Sequence, residues 1–224
     1  MVTAAELARR IDHTALKPET TRADVERLCR ETREYGFASA CVAPVWVRDA
    51  ARYLGGAGAG VCTVIAFPHG AETAGAKADA ARRVVDDGAR ELDMVISLGL
   101  LKSGDDSAVE RDIRGVVEVA RSFGAIVKVI LETALLSDEE KVLGCRLADA
   151  AGADFVKTSS GFGPGGATVA DVALLARTVG GRLGVKAAGG IRTLDFALSL
   201  LDAGATRLGC SASVALMREI AARS

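Results

Sequence analysis

Short β-branched runs alternate with longer stretches of helical periodicity along the whole chain. Ala38–Ala43, Val61–Phe67, Glu91–Ile96, Ile126–Leu131, Phe155–Thr158, Leu183–Ala187 and Arg207–Cys210 predict strands, and His13–Leu16 a shorter first strand. Between them, Thr73–Asp87, Ala108–Ser122, Ser137–Ala151 and Thr193–Ala203 predict helices. Met1–Asp12 reads as a charged amphipathic helix with Glu6, Arg9 and Arg10. Glycine stands just before the next strand at Gly36, Gly88, Gly124, Gly152 and Gly204. The residue after a helix commonly turns left-handed, which glycine does without steric cost. The interval so marked is about the length of one βα unit, roughly 25 to 30 residues.

Eight strands with intervening helices predict an α/β fold: a single (β/α)8 TIM barrel with a short N-terminal helix, one domain over residues 1–224. The alternative is an open doubly wound sheet, which usually has fewer strands at this length. In a barrel, functional side chains belong at the C-terminal ends of strands and in the loops that follow.

Composition narrows the function classes. Half of the 224 residues are apolar but only 4% are aromatic, so the core must be built from Ala, Val, Leu and Ile. The 28 basic and 29 acidic residues are interspersed, which gives no footprint for nucleic acid or an anionic membrane. No apolar run approaches membrane-spanning length, and the N-terminal segment lacks the apolar core of a signal peptide. Five cysteines, odd in number and never spaced as C-x-x-C, predict reduced thiols in a cytoplasmic protein rather than disulfides or zinc.

Against this background four strands carry a charge amid apolar neighbours: Asp93, Lys128, Lys157 and Lys186. An isolated charge inside a barrel is costly unless paired or functional. A barrel also gathers strand ends around one mouth, so these groups are expected to meet. Two neighbouring lysines suit imine chemistry. A free amine with a pKa of about 10.4 is mostly protonated at neutral pH, whereas a nearby cation and desolvation favour the neutral nucleophile. Asp93 could move protons between hydroxyl, water and carbinolamine. Which lysine attacks is left open by this reasoning.

No cofactor and no metal are expected. His13 and His69 lie far apart, outside any H-x-x-H arrangement, and read as hydrogen-bonded loop or strand-end residues rather than zinc ligands. A magnesium site built from carboxylates stays open. The segment Gly161–Gly166 (GFGPGG) fits a dinucleotide fingerprint, yet the next strand ends in Lys186-Ala187-Ala188 instead of the required acid. It reads better as a backbone-rich loop beside Lys157. Ala188–Ile191 and Gly209–Ser213 look like anion cradles, because glycine lets backbone N–H groups approach phosphate oxygens. Arg192 either adds charge there or is simply solvated.

These residues resemble the deoxyribose-phosphate aldolases over nearly the whole chain. The match runs from Ile11-Asp12-His13-Thr14-Ala15-Leu16-Lys17-Pro18 through Phe67-Pro68-His69-Gly70, Glu91–Val95 and Leu131-Glu132-Thr133. Its most specific pieces are Asp154–Phe162 (DFVKTSSGF) and Val185–Arg192 (VKAAGGIR). The resemblance implies a metal-independent barrel aldolase that cleaves 2-deoxy-D-ribose 5-phosphate to acetaldehyde and D-glyceraldehyde 3-phosphate in deoxynucleoside breakdown. It implies Lys157 as the Schiff-base residue, Lys186 as the lysine that perturbs it, and Asp93 in the proton relay. Asp12, Cys41 and Lys128 match positions lining the family's site; Gly161, Gly189, Gly190 and Ser211 match its substrate and phosphate loops. Some members carry Thr at Ser160, lysine at Phe162 or serine at Ala212, so the departures fall at the phosphate end. An imine-forming aldolase of another phosphorylated sugar, or a phosphosugar-binding barrel without turnover, are the alternatives. A homo-oligomer such as a dimer is expected from the family, without a sequence feature that fixes the interface.

Overall fold

A computed structural model of the chain describes residues 2–56 and 58–223. Eight parallel strands close into a barrel in sequence order, β8 pairing back onto β1. They are β1 (Ile11–Ala15), β2 (Ser39–Val42), β3 (Gly60–Ile65), β4 (Glu91–Val95), β5 (Ile126–Ile130), β6 (Phe155–Lys157), β7 (Gly184–Ala188) and β8 (Arg207–Cys210). The main return helices are α2 (Arg22–Tyr35), α3 (Val47–Leu54), α4 (Ala74–Asp86), α6 (Asp106–Ser122), α7 (Asp138–Ala150), α8 (Val169–Val179), α9 (Leu194–Asp202) and α10 (Ser213–Ala222). Short helices α1 (Ala4–Ala8) and α5 (Leu98–Lys102) precede β1 and α6.

Local chemistry accounts for most of these boundaries. The hydroxyls of Thr3, Thr21, Thr73, Ser137, Thr168 and Thr193 each accept a first-turn amide of the helix that follows, a cap that contributes about 1 kcal/mol. The five glycines before strands all adopt positive φ, from 65° at Gly124 to 115° at Gly88. Two sequence expectations are corrected. The N-terminal helix does not run to Asp12: it ends at Ala8, and β1 starts at Ile11. Ile11 is needed in the apolar layer and Asp12 inside the barrel. β3 stops at Ile65, short of Phe67, because Ala66 turns to φ 53°.

The strand period of two sorts the side chains. Outward residues such as Ile11, Ala40, Val61, Leu92, Met94, Val127, Val129, Val156, Val185, Ala187 and Leu208 join one apolar core with the inner faces of the helices. Burying a Val, Leu or Ile side chain contributes roughly 1.5–3 kcal/mol, so this shell holds the barrel closed. Inward positions are different. Asp12, Ser39, Cys41, Cys62, Glu91, Asp93, Lys128, Lys157, Lys186 and Arg207 all project into the barrel, where the chain spends polar groups instead of apolar filling.

Candidate active site

Strand register brings the charges together. Asp93 on β4 is the neighbour of Lys128 on β5, Lys157 on β6 of Lys186 on β7, and Lys186 of Arg207 on β8. Asp12 on β1 lies beside Gly209. Gly209 is glycine for a reason of space: a Cβ there would sit 2.9 Å from Lys186 Cε and 3.2 Å from Ala188 Cβ. The missing side chain on β8 is the volume that Lys186 fills.

The result is a largely buried ion cluster centred on Asp93. Its Oδ2 accepts from Lys157 Nζ at 2.8 Å and from Lys186 Nζ at 2.6 Å; its Oδ1 accepts from Lys128 Nζ at 3.0 Å and from the Cys62 thiol at 3.3 Å. Lys186 also donates to Asp12 Oδ2 at 2.5 Å. The Arg207 guanidinium donates to Asp12 Oδ1 at 2.7 Å, as does the Ser39 hydroxyl at the same distance. Lys128 is paired with Glu91 at 2.6 Å and lies 3.6 Å from Asp12. Burial by itself pushes Asp93 toward the neutral acid, but Lys128, Lys157 and Lys186 together outweigh it and hold its carboxyl well below the usual range. Asp12 is held low in the same way by Lys186, Lys128 and Arg207 against burial. Burial disfavours the charged form of Lys186, yet Asp12 and Asp93 reverse the sign and raise its pKa. Lys128 is raised likewise, chiefly by Asp93 against burial.

Three carboxylates therefore face three ammoniums and a guanidinium. One cation is in excess, and Lys157 is the lysine with a single carboxylate contact. A neutral amine at Lys157 leaves every carboxylate still paired. The cluster also bears on the magnesium alternative. Cys41, Cys62 and Asp93, and likewise Asp12, Cys62 and Glu91, bring donor atoms within 4.8 Å of one another, but the Lys128 ammonium already sits among Asp12, Glu91, Asp93 and Cys62. A metal ion would have to displace it.

Above the cluster a cavity of about 1070 Å³ opens at the C-terminal ends of the strands. Of the three clustered lysines, only Lys157 lines it. Gly161, Gly189, Gly190 and Ser211 lie on its wall, with Arg192, whereas Asp93, Lys186, Asp12, Cys41 and Lys128 lie buried beneath it. Cys41 is hydrogen-bonded to Cys62, which lowers its thiol pKa against the opposing effect of burial; Lys186 adds to the lowering.

At the far end of the cavity the loops are made of backbone. Gly161, Gly189 and Gly190 have φ of 85°, 91° and 78°. Gly166 lies so close to Gly189 that an added Cβ would be 2.4 Å from the Gly189 carbonyl oxygen. The glycines of the GFGPGG segment thus serve the packing of one loop on the next. Ala212 at the start of α10 offers no side-chain cap to the first-turn N–H groups of that helix. Phe162, on the cavity wall and 48% exposed, stands edge-on to Phe67 with ring centroids 5.2 Å apart.

Sequence reasoning did not single out Glu91, Arg207, Cys62 or Ser39, which complete the cluster. Their signal was parity: each is polar at an inward position of a strand. His13 faces the other way. It is buried against α2 and α10, with Nδ1 at 3.0 Å from Ser213 Oγ and Nε2 at 2.7 Å from Glu31, as a hydrogen-bonded strand residue. His69 is exposed.

A family model described as DeoC/LacD family aldolase matches residues 7–220. The deoxyribose-phosphate aldolase of Listeria monocytogenes serovar 1/2a is 56% identical over 211 residues, 94% of each chain. That of Geobacillus sp. strain WCH70 is 52% identical over 218 residues, 97% of each. The tetrameric deoxyribose phosphate aldolase from Aeropyrum pernix superposes with a TM-score of 0.93 at 37% identity, covering all of this chain and 94% of that one. A closed barrel with one reachable lysine above a buried carboxylate, matched from end to end by these relatives, settles the assignment: the chain belongs to the DeoC/LacD family of aldolases.

Proposed function

We propose that this chain is a deoxyribose-phosphate aldolase that works through a Schiff base on Lys157. The observation that carries the reading is the cavity: it presents one amine of the cluster at its floor and ends in the anion-ready loops around Gly189, Gly190 and Ser211. The substrate is 2-deoxy-D-ribose 5-phosphate in its open-chain form. Its phosphate lies against the Gly161, Gly189–Gly190 and Ser211 loops, with the N-terminus of α10 and Arg192 beside it, and its C1 aldehyde reaches Lys157.

The neutral amine adds to C1, and the carbinolamine loses water to give a protonated imine. Asp93, in contact with Lys157 Nζ at 2.8 Å, carries protons during these steps. The C3 hydroxyl loses its proton as the C2–C3 bond breaks, and the bonding electrons pass through C2 into the iminium. D-glyceraldehyde 3-phosphate leaves, and an enamine stays on Lys157. Protonation at C2 and hydrolysis release acetaldehyde and restore the amine. Lys186 does not touch substrate; its fixed positive charge beside Asp93 opposes a second charge on Lys157.

This activity belongs to deoxynucleoside breakdown, and we place it in the cytoplasm as a homo-oligomer. Five free, buried cysteines and the absence, among the described residues, of any helix long and apolar enough to cross a membrane support that placement. The test is borohydride reduction with acetaldehyde followed by peptide mass mapping. An ethyl group on Lys157, absent without acetaldehyde and absent in Lys157→Ala together with all turnover, is the expected result. A label on Lys186 would reverse the two lysines, and no label on folded protein would sink the imine reading.

A further inference from the structure

The Glu132 carboxylate is a buried acid beside the site that belongs neither to the ion cluster nor to the proposed chemistry. It follows β5 and adopts φ 55° and ψ 62°, one of only two non-glycine residues with positive φ among the described residues. That conformation costs on the order of 1–2 kcal/mol for a residue with a Cβ. Neighbouring backbone bonds hold it there: Leu131 N donates to the Lys157 carbonyl and Thr133 N to the Thr158 carbonyl, both at 2.9 Å. The strain is thus maintained by the strand that carries Lys157.

The side chain is 2% exposed and turns under the loop that follows β6. Its Oε2 accepts the Ser160 N–H at 3.1 Å, while Oε1 is buried without a hydrogen-bond partner. The loop passes directly over it: a Cβ on Gly163 would lie 2.8 Å from both Cδ and Oε1 of Glu132. The Ser160 hydroxyl in turn accepts the Phe162 N–H at 3.0 Å. Ser160, Gly161 and Phe162 line the cavity, and Glu132 does not.

From this arrangement we infer that Glu132 is a positioning residue for phosphosugar binding, fixing the 160–163 loop from beneath so that its cavity face is preformed. The inference rests on the aldolase reading and extends it to a residue with no contact to substrate. The glycine at 163 belongs to the same device, since any side chain there presses on the carboxylate.

The experiment compares Glu132→Ala, Glu132→Gln and Gly163→Ala, with thermal melting to establish folding. KM and kcat are measured with 2-deoxy-D-ribose 5-phosphate, alongside acetaldehyde–borohydride labelling of Lys157. Glu132→Ala and Gly163→Ala should raise KM by about tenfold or more, the equivalent of one charge-assisted hydrogen bond, with a smaller fall in kcat. Labelling of Lys157 by acetaldehyde, which lacks the phosphate end, should stay at the wild-type level. Glu132→Gln keeps an acceptor oxygen in the same shape and should recover most of the KM. The inference is overturned if KM in both disruptive variants stays within about twofold of wild type, or if labelling falls in step with kcat. Should Glu132→Ala fail to fold, Gly163→Ala, which retains the carboxylate, decides the matter. Loss of labelling in the wild type itself would instead count against the Schiff-base reading.

Discussion

Lys157 and Lys186 carry the same amine and differ only in company. Lys186 is gripped by Asp12 and Asp93 at 2.5 and 2.6 Å, whereas Lys157 contacts Asp93 alone and meets the cavity. Removing the Lys186 charge leaves two buried carboxylates short of a partner, and Lys157 becomes the nearest cation available to Asp93. Lys186→Leu should therefore lower kcat/KM by at least about 100-fold in a steady-state assay. A folded variant with near-normal activity would remove Lys186 from the role proposed for it. The sequence shows charged residues on four strands and, through the DFVKTSS motif, the family's assignment of Lys157. Composition and spacing cannot show which of two amines reaches the cavity, because that depends on the side chains and loops packed around each one. Lys157 and Lys186 are direct register partners on β6 and β7, yet only Lys157 lines the cavity, while Lys186 is held between Asp12 and Asp93.

At the scale of elements, the barrel works by parity. β4 places Glu91 and Asp93 inward and Leu92 and Met94 outward; β5 places Lys128 inward between Val127 and Val129. The strands were legible to within a residue or two because this alternation is local. Arg207 and Glu91 escaped notice because each begins its strand, where a charge ordinarily reads as a solvated flank. β8 carries a sharper constraint at Gly209. Adding one methyl there would press on Lys186 Cε and Ala188 Cβ, neither free to retreat in a packed interior. Overpacking of this kind costs about 1–3 kcal/mol. Gly209→Ala should thus lower the melting temperature modestly while reducing kcat by about tenfold or more, since it shifts Lys186, the lysine we propose to act on Lys157. Wild-type kcat with normal stability would show that Lys186 has slack the geometry does not suggest.

For the whole molecule, the interior charge cluster sets the pH range of stability. Asp93 and Asp12 are held below their ordinary pKa by surrounding cations that outweigh burial. Their contribution is present above the unfolded value of about 3.9 and is lost as pH falls through the folded value. Lys186 and Lys128 are raised by the same contacts against burial. Their contribution is complete below the unfolded value of about 10.4 and is lost as pH rises toward the folded value. The melting temperature should be level from roughly pH 5 to 9 with respect to this cluster and fall on either side. In Asp93→Asn the acid limb should be shallower. A wild-type melting temperature that holds down to about pH 3 would show that the cluster does not govern acid stability.

What the sequence determined by itself is what short-range chemistry governs. Apolar alternation, hydroxyl caps and left-handed glycines specify strands, helices and their order, and eight βα units have few ways to bury their apolar faces other than closure. The family motifs add the reaction. Only the tertiary structure decided that Asp12, Glu91, Asp93, Lys128, Lys186 and Arg207 neutralise one another beneath the floor while Lys157, alone of the three clustered lysines, meets the cavity. It also decided that Glu132 lies under the loop rather than in the site. Both depend on strand stagger and loop packing between residues far apart in the chain, and coulombic balance in a dry interior is a sum over neighbours that no local pattern records.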